Sequence, residues 1–85
     1  MSAFTIALAR TGEVCEVAAP TWQDACRKTG RDDACLIERI DGNGLEVTFG
    51  VEMTTSITFR TRHSTSEEML PWALRCVARE MDLVQ

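Results

Sequence analysis

The feature that most constrains the fold is a two-strand pattern between Ala34 and Met53. The segment reads ACLIERI, then DGNG, then LEVTFGVEM. Apolar residues occupy every second position of its last part: Leu45, Val47, Phe49, Val51 and Met53. This alternation predicts a strand with one buried and one solvated face. Asp41-Gly42-Asn43-Gly44 tolerates the positive φ angles of a tight turn, so we predict that the two runs pair as a β-hairpin.

The first nineteen residues predict another hairpin. Phe4, Ile6 and Leu8 alternate with smaller or polar residues, which indicates a first strand that ends near Arg10. Thr11-Gly12 marks a turn, and residues 13–19 form a second run. Both sides of this second run are partly apolar, so the pattern leaves its burial open.

A short helix is predicted between the hairpins. Thr21 precedes Asp24 by three residues, the spacing of a reciprocal capping arrangement, and Gly30 is a typical helix end. Two helical turns are too short to be stable alone. We therefore expect this helix to pack on the sheet through Trp22.

Residues 54–62, TTSITFRTR, predict a fifth strand. The strand is rich in β-branched residues, and its arginines would discourage aggregation if it lies at an edge of the sheet.

A longer helix is predicted after the fifth strand, ending near Asp82. Ser64 with Glu67, or Thr65 with Glu68, has the spacing of a capping box. One apolar stripe follows at helical spacing: Leu70, Ala73, Leu74, Val77 and Met81. Pro71 costs about 3 kcal/mol inside a helix and is favoured in the first turn. We therefore predict that the helix begins near Pro71, with a kink there as the alternative.

The element order is thus ββαβββα, and residues 1–85 form a single domain. We predict an α+β fold: an antiparallel sheet of about five strands, with one short and one longer helix packed on the same face. In this fold, Trp22 and the apolar stripe from Leu70 to Met81 would pack on the apolar face of the hairpin and bury it.

The four cysteines, Cys15, Cys26, Cys35 and Cys76, form no CxxC pair. The start MSAFTIALARTGE lacks the basic residues and long apolar core of a cleavable signal peptide. We therefore expect a reducing, cytoplasmic location, with free thiols that pack as small hydrophobic groups. No run approaches the roughly 20 apolar residues that a membrane span needs.

No catalytic, cofactor or metal site is predicted. One histidine, His63, is too few for a zinc-finger pattern, and no cysteine lies in a nucleophile motif. The DGNG turn is followed by a strand, which argues against both a calcium loop and a phosphate loop. We expect a protein that is not an enzyme and binds no cofactor.

Charge separates the chain into an acidic and a basic part. The net charge is -4, yet residues 32–52 alone carry six acids and one base. An acidic sheet face could meet a basic partner, such as the surface of a nucleic-acid-binding protein. The partner-binding candidates are the polar positions of the hairpin and the next strand: Asp41, Glu46, Thr48, Glu52, Thr58 and Arg60.

The first half of the chain, FTIALARTGEVCEVAA, PTWQDA and CLIERIDGNGLEVTFG, resembles in layout small phage- and plasmid-encoded ββαββ proteins, including anti-CRISPR inhibitors. The resemblance implies a non-enzymatic inhibitor that occupies a binding surface of a host complex. It transfers no individual functional residue. We therefore expect a protein-protein interaction module, and the resemblance implies that a mobile element encodes it.

Two alternatives stay open. One is a homodimeric subunit or secretion-associated chaperone, paired through an edge strand or the region of Trp72. The other is a small nucleic-acid-binding protein that uses Arg60, Arg62, Arg75 and Arg79, which the acidic net charge disfavours.

Overall fold

A computed structural model describes the chain over residues 1–40, 43–50 and 53–83. The elements in chain order are β1 (Ser2–Leu8), β2 (Val14–Ala19), α1 (Trp22–Lys28), β3 (Ala34–Ile40), β4 (Gly44–Phe49), β5 (Thr55–Arg60) and α2 (Ser66–Leu83). The predicted α+β class and the order ββαβββα are confirmed. The radius of gyration of 12.1 Å is close to the ~12 Å expected for one domain of this length.

The five strands form one sheet in the order β2-β1-β3-β4-β5, and every neighbouring pair is antiparallel. The β3–β4 hairpin is confirmed, with Ile40 opposite Gly44. Two of its predicted turn residues, Asp41 and Gly42, lie outside the described part of the chain. β5 is an edge strand, as predicted. At the other edge β2 runs parallel to β3, with β1 between them, and α1 makes the crossover.

The two helices lie on opposite faces of the sheet, so the prediction that one face carries both is wrong. Residues directly opposite in an antiparallel pair share a face, and Ile6 is opposite Leu36 while Ala7 is opposite Cys35. Ile6 and Leu36 belong to the core that includes Ala25 of α1. Ala7 and Cys35 belong to the larger core built with α2.

The composition of β3 explains this arrangement. Its first four residues, Ala34 to Ile37, are all apolar and all buried. A strand covered on both faces carries such a continuous apolar run, whereas a strand covered on one face alternates. Trp22 therefore packs with the α1 core, on the face opposite Leu45 and Val47, and does not cover them as predicted.

β4 is shorter than the predicted alternation. It ends at Phe49, and Gly50 has a φ of 102°, which disfavours an L side chain. A Cβ at Gly50 would also overlap the carbonyl oxygen of Met53. Met53 is 86% exposed, so its predicted burial is wrong, while Val51 lies outside the described residues.

α1 begins as predicted, with Thr21 accepting a hydrogen bond from the backbone N–H of Asp24 at 3.2 Å. The carboxylate of Asp24 accepts from Nη1 of Arg27 at 2.7 Å and does not reach back to the N–H of Thr21, so only half of the predicted reciprocal capping forms. Gly30 follows the helix with a φ of 70°. Its N–H donates to the carbonyl of Arg27 at 3.0 Å, as expected of a left-handed helix end.

α2 begins at Ser66, more than one turn before Pro71, which corrects the predicted start. The capping box is Thr65 with Glu68: the N–H of Glu68 donates to Thr65 Oγ1 at 3.2 Å, and Glu68 Oε1 accepts from the N–H of Thr65 at 3.4 Å. Ser66 Oγ also donates to the carbonyl of Gly44 at 3.1 Å. These bonds fix the start of α2 on β4 and leave Pro71 inside the helix, on its exposed side.

The predicted apolar stripe of α2 is buried against the sheet: Leu70, Ala73, Leu74, Val77 and Met81. Beside the stripe, Trp72 is 50% exposed and meets Phe59 edge-on, with ring centroids 5.3 Å apart. Neither of the two helices in the described segments is long and apolar enough to cross a membrane.

Candidate interaction surface

A polar surface covers half of the sheet on the α1 side. Glu38 lies opposite Glu46, and Glu46 lies opposite Thr58 on the next strand. Thr48 lies opposite Ser56, and Arg60 lies opposite Gly44. We call the following six residues the polar sheet face: Glu38, Glu46, Thr48, Ser56, Thr58 and Arg60.

The width of a single helix explains why this surface is open. The helix has seven residues and contacts β1, β2 and β3. A helix about 10 Å wide covers two to three strands spaced about 4.8 Å apart, not five. α2 lies on the opposite face. Within the described residues, therefore, no helix covers β4 and β5 on the α1 side.

The side chains of the polar sheet face differ in exposure. Glu38, Thr58 and Arg60 are exposed, and Glu46 is half-buried. Thr48 is only 7% exposed, and its Oγ1 lies 3.0 Å from Oγ of Ser56 in a hydrogen bond. Thr48 therefore forms the floor of the surface, while the other five residues supply its projecting groups.

The centre of the polar sheet face is acidic. Glu38 and Glu46 are directly opposite, and two like charges in that position destabilise a strand pair. The neighbouring Arg39 lies on the other face, where its Nε donates to Oε1 of Glu67 at 2.6 Å. The guanidinium of Arg60 extends over Gly44, with Nη1 3.5 Å from the position of a Cβ at residue 44. The surface thus has an acidic centre and a cation at one end.

Four of the six predicted partner-binding residues meet on this surface: Glu46, Thr48, Thr58 and Arg60. The other two, Asp41 and Glu52, lie outside the described residues. Glu38, one of the six acids counted in residues 32–52, and Ser56 were not among the six partner-binding candidates, yet both lie on this surface. The signal for Glu38 is the register of the β3–β4 hairpin, which places it opposite Glu46. The signal for Ser56 is the alternation of β5, which puts it on the same face as Thr58.

The cysteines are all free thiols, but they do not all pack in the core. Cys15 is exposed, which corrects the expectation of packing there, and Cys26 and Cys76 are half-buried. Cys35 is buried, and its Sγ lies 3.3 Å from the carbonyl oxygen of Ala7. Burial raises the pKa of the Cys35 thiol to about 12, so this thiol is protonated and unreactive at neutral pH.

The described residues contain no cluster of three or more His, Cys, Asp or Glu placed to hold a metal ion. His63 is exposed in the loop between β5 and α2. Its backbone N–H donates to Oγ1 of Thr61 at 3.2 Å.

The four arginines considered for nucleic-acid binding form two pairs on different parts of the molecule. Arg60 is on the polar sheet face, and Arg62 is in the loop that follows. Arg75 and Arg79 are exposed on α2, which packs on the other side of the sheet. They therefore do not form one basic patch of the kind that follows a phosphate backbone.

No protein-family model matches the chain, and no curated protein and no solved structure matches it either.

Proposed function

We propose that the chain is a non-enzymatic protein-protein interaction module whose polar sheet face binds a basic surface of another protein. The observation that carries the proposal is the pair Glu38 and Glu46, placed opposite each other on a sheet half that no described helix covers. The pair destabilises the isolated sheet. A partner that places cations between the two carboxylates removes that repulsion and gains two charge-assisted contacts.

The rest of the surface supports specific recognition. Thr58 and Ser56 offer hydroxyl groups, and Arg60 supplies a cation at one end of the acidic centre. This separation of negative and positive charge fixes the orientation of a partner with complementary charges and speeds its association. A protein that masks a nucleic-acid-binding surface in this way acts as an inhibitor, as the layout resemblance to mobile-element proteins implies. Such an inhibitor would work in the cytoplasm.

Charge reversal tests the proposal. The double variant Glu38→Lys, Glu46→Lys should lose capture of the partner from a lysate of the source cell. Two lysines opposite each other are again like-charged, so the strand pair keeps about the same stability. The matched control is Glu13→Lys, Glu16→Lys, which makes the same charge change at exposed residues before and on β2.

Capture is compared by pull-down at low and at 0.5 M salt, with far-UV circular dichroism as the check of folding. The wild type and the control should retain the same protein, and salt should weaken both. If the polar-sheet-face variant folds and still captures that protein, the proposed surface is wrong.

A second candidate function is that of a homodimeric subunit or adaptor. The observation in its favour is Trp72, 50% exposed beside the edge strand β5 and packed edge-on against Phe59. Exposed tryptophans are enriched at interfaces, and an edge strand can pair with a second copy. The sedimentation mass of the purified chain decides between one copy and two.

A further inference from the structure

A cleft of about 330 Å³ opens at the end of the sheet where β3 begins and β4 ends. Trp22, Cys26 and Ala34 line it from the α1 core, and Phe49 and Met81 line it from the α2 core. The sheet separates these two cores elsewhere, but at this end both contribute to one apolar concavity. Its volume falls at the lower end of the roughly 300–1,000 Å³ found for small-molecule sites. The cleft therefore suits one ring or a short aliphatic chain.

The rim of the cleft carries polar and charged groups from α1 and the segment after it. Gln23, Arg27, Arg31 and Asp32 line it beside the apolar residues. Asp32 is already paired, since its Oδ1 accepts from Nη1 of Arg10 at 3.0 Å. The two rim arginines also have acidic partners, so the rim offers a ligand hydrogen-bond donors rather than a net positive charge.

Both rim arginines have N–H donors beyond those in their ion pairs. A guanidinium has five such donors. Arg27 uses Nη1 for Asp24 at 2.7 Å, and Arg31 faces Asp33 with Nε and Nη2 at 3.1 Å. These acidic partners also hold each guanidinium in place, which prepares it for a carboxylate.

We propose that this cleft binds a small amphipathic carboxylate, whose apolar body lies against Trp22, Phe49 and Met81 and whose carboxylate is held by Arg27 and Arg31. The site does not involve the polar sheet face, so it is independent of the proposed function. A ligand there contacts residues of both helices. Because the cleft exists only in the folded chain, the ligand raises the unfolding temperature by mass action.

Tryptophan fluorescence tests the proposal. In the variant Trp72→Phe the only remaining indole is Trp22, which lines the cleft, and the substituted side chain keeps an aromatic ring against Phe59. The probes are octanoate, its neutral counterpart octanol and its cationic counterpart octylammonium. We expect saturable binding of octanoate that is at least tenfold tighter than that of either counterpart.

Arg27→Gln should weaken octanoate binding by about tenfold, because it removes a charged hydrogen-bond donor. The matched control Arg79→Gln removes the same charge from the exposed side of α2 and should leave binding unchanged. Both arginines are exposed, so both variants are expected to fold. Three results would overturn the proposal: no saturable signal with octanoate, equal binding of octanol, or equal effects of the two arginine substitutions.

Labelling of Cys26 gives a second readout. Its thiol lines the cleft, and its pKa is raised by burial. In a chain with Cys15→Ser and Cys76→Ser, the other remaining thiol, Cys35, is buried. Octanoate should slow the reaction of Cys26 with a maleimide by several-fold, and octylammonium should not. An unchanged rate with saturating octanoate would contradict binding in this cleft.

Discussion

Asp33 has no exposed surface, although Asp32 beside it is exposed. Its Oδ2 accepts from the backbone N–H of Arg10 at 3.0 Å and from Nη2 of Arg31 at 3.1 Å. Its Oδ1 lies 3.1 Å from Nε of Arg31, at an angle too poor for a hydrogen bond. Its carbonyl accepts from the N–H of Ala9 at 3.0 Å. Asp33 therefore holds the end of β1 to the start of β3.

Asp33→Ala should lower the free energy of unfolding by about 3 kcal/mol, because a buried charged acceptor and its hydrogen bonds are lost together. The loss stays moderate because Arg31 is 42% exposed and can be solvated. Asp32→Ala is the matched control. The side chain of Asp32 is 72% exposed in its ion pair with Arg10, so the loss of this ion pair should cost less than about 1 kcal/mol. Urea unfolding at pH 7 compares the two, and equal costs would contradict the structural role of Asp33.

Cys35 links stability to pH. Burial and, to a lesser degree, the nearby Cys26 and Asp33 raise its pKa to about 12 from 9.0. The folded state thus disfavours the thiolate, so the contribution of Cys35 is fully present below about pH 9 and is lost as the pH rises towards 12. Within that window the loss is about 1.4 kcal/mol per pH unit. Urea unfolding between about pH 8 and 10.5 should show this decline in the wild type and a smaller one in Cys35→Ala; parallel curves would contradict it.

Pro71 is the clearest departure from local rules among the helices. It lacks the N–H that would bond to the carbonyl of Glu67, and its ring crowds that carbonyl. Its exposed position means that substitution removes no core contact. Pro71→Ala should therefore stabilise the chain by about 2 kcal/mol, which is the helix penalty of about 3 kcal/mol reduced by up to about 1 kcal/mol for the greater freedom of the unfolded chain.

Thermal unfolding of the Pro71→Ala variant measures this gain. The control is Glu80→Ala, an exposed position later in α2, where little change is expected. An unchanged or lower midpoint for Pro71→Ala would show that the proline fits the helix without strain.

At the scale of the elements, most of the fold is predictable because each element has its own local signal. Period-two alternation indicates β4 and β5, and Thr65 with Glu68 indicates the start of α2. Two predictions are wrong because each gave the wrong weight to a single residue. The predicted start of α2 follows Pro71 rather than the capping box. The predicted β4 treats Gly50 as one more position in an alternating strand, although its φ of 102° ends the strand.

At the scale of the whole molecule, the sequence did not reveal which face each helix covers. The alternation in β4 predicts one buried face, but it does not indicate which helix packs on that face. The missed signal was the continuous run Ala34 to Ile37, buried on both faces. Once β3 is known to be covered on both sides, the helices must be on opposite faces. The open polar half then follows because one helix lying over β1, β2 and β3 is too narrow to cover β4 and β5 as well. The cleft between the two cores depends on tertiary packing, which no local pattern records.

The placement of α2 on its own face of the sheet has a consequence for synthesis. The apolar side chains of β3 and β4 that α2 covers, including Ile37, Leu45 and Val47, leave the ribosome well before residues 66–83 do. At about 5–20 residues per second, they remain uncovered for a few seconds in each nascent chain. During that interval the α1 side can already assemble from residues 2–40. The core on the α1 side can therefore form while the core on the α2 side is still exposed to solvent.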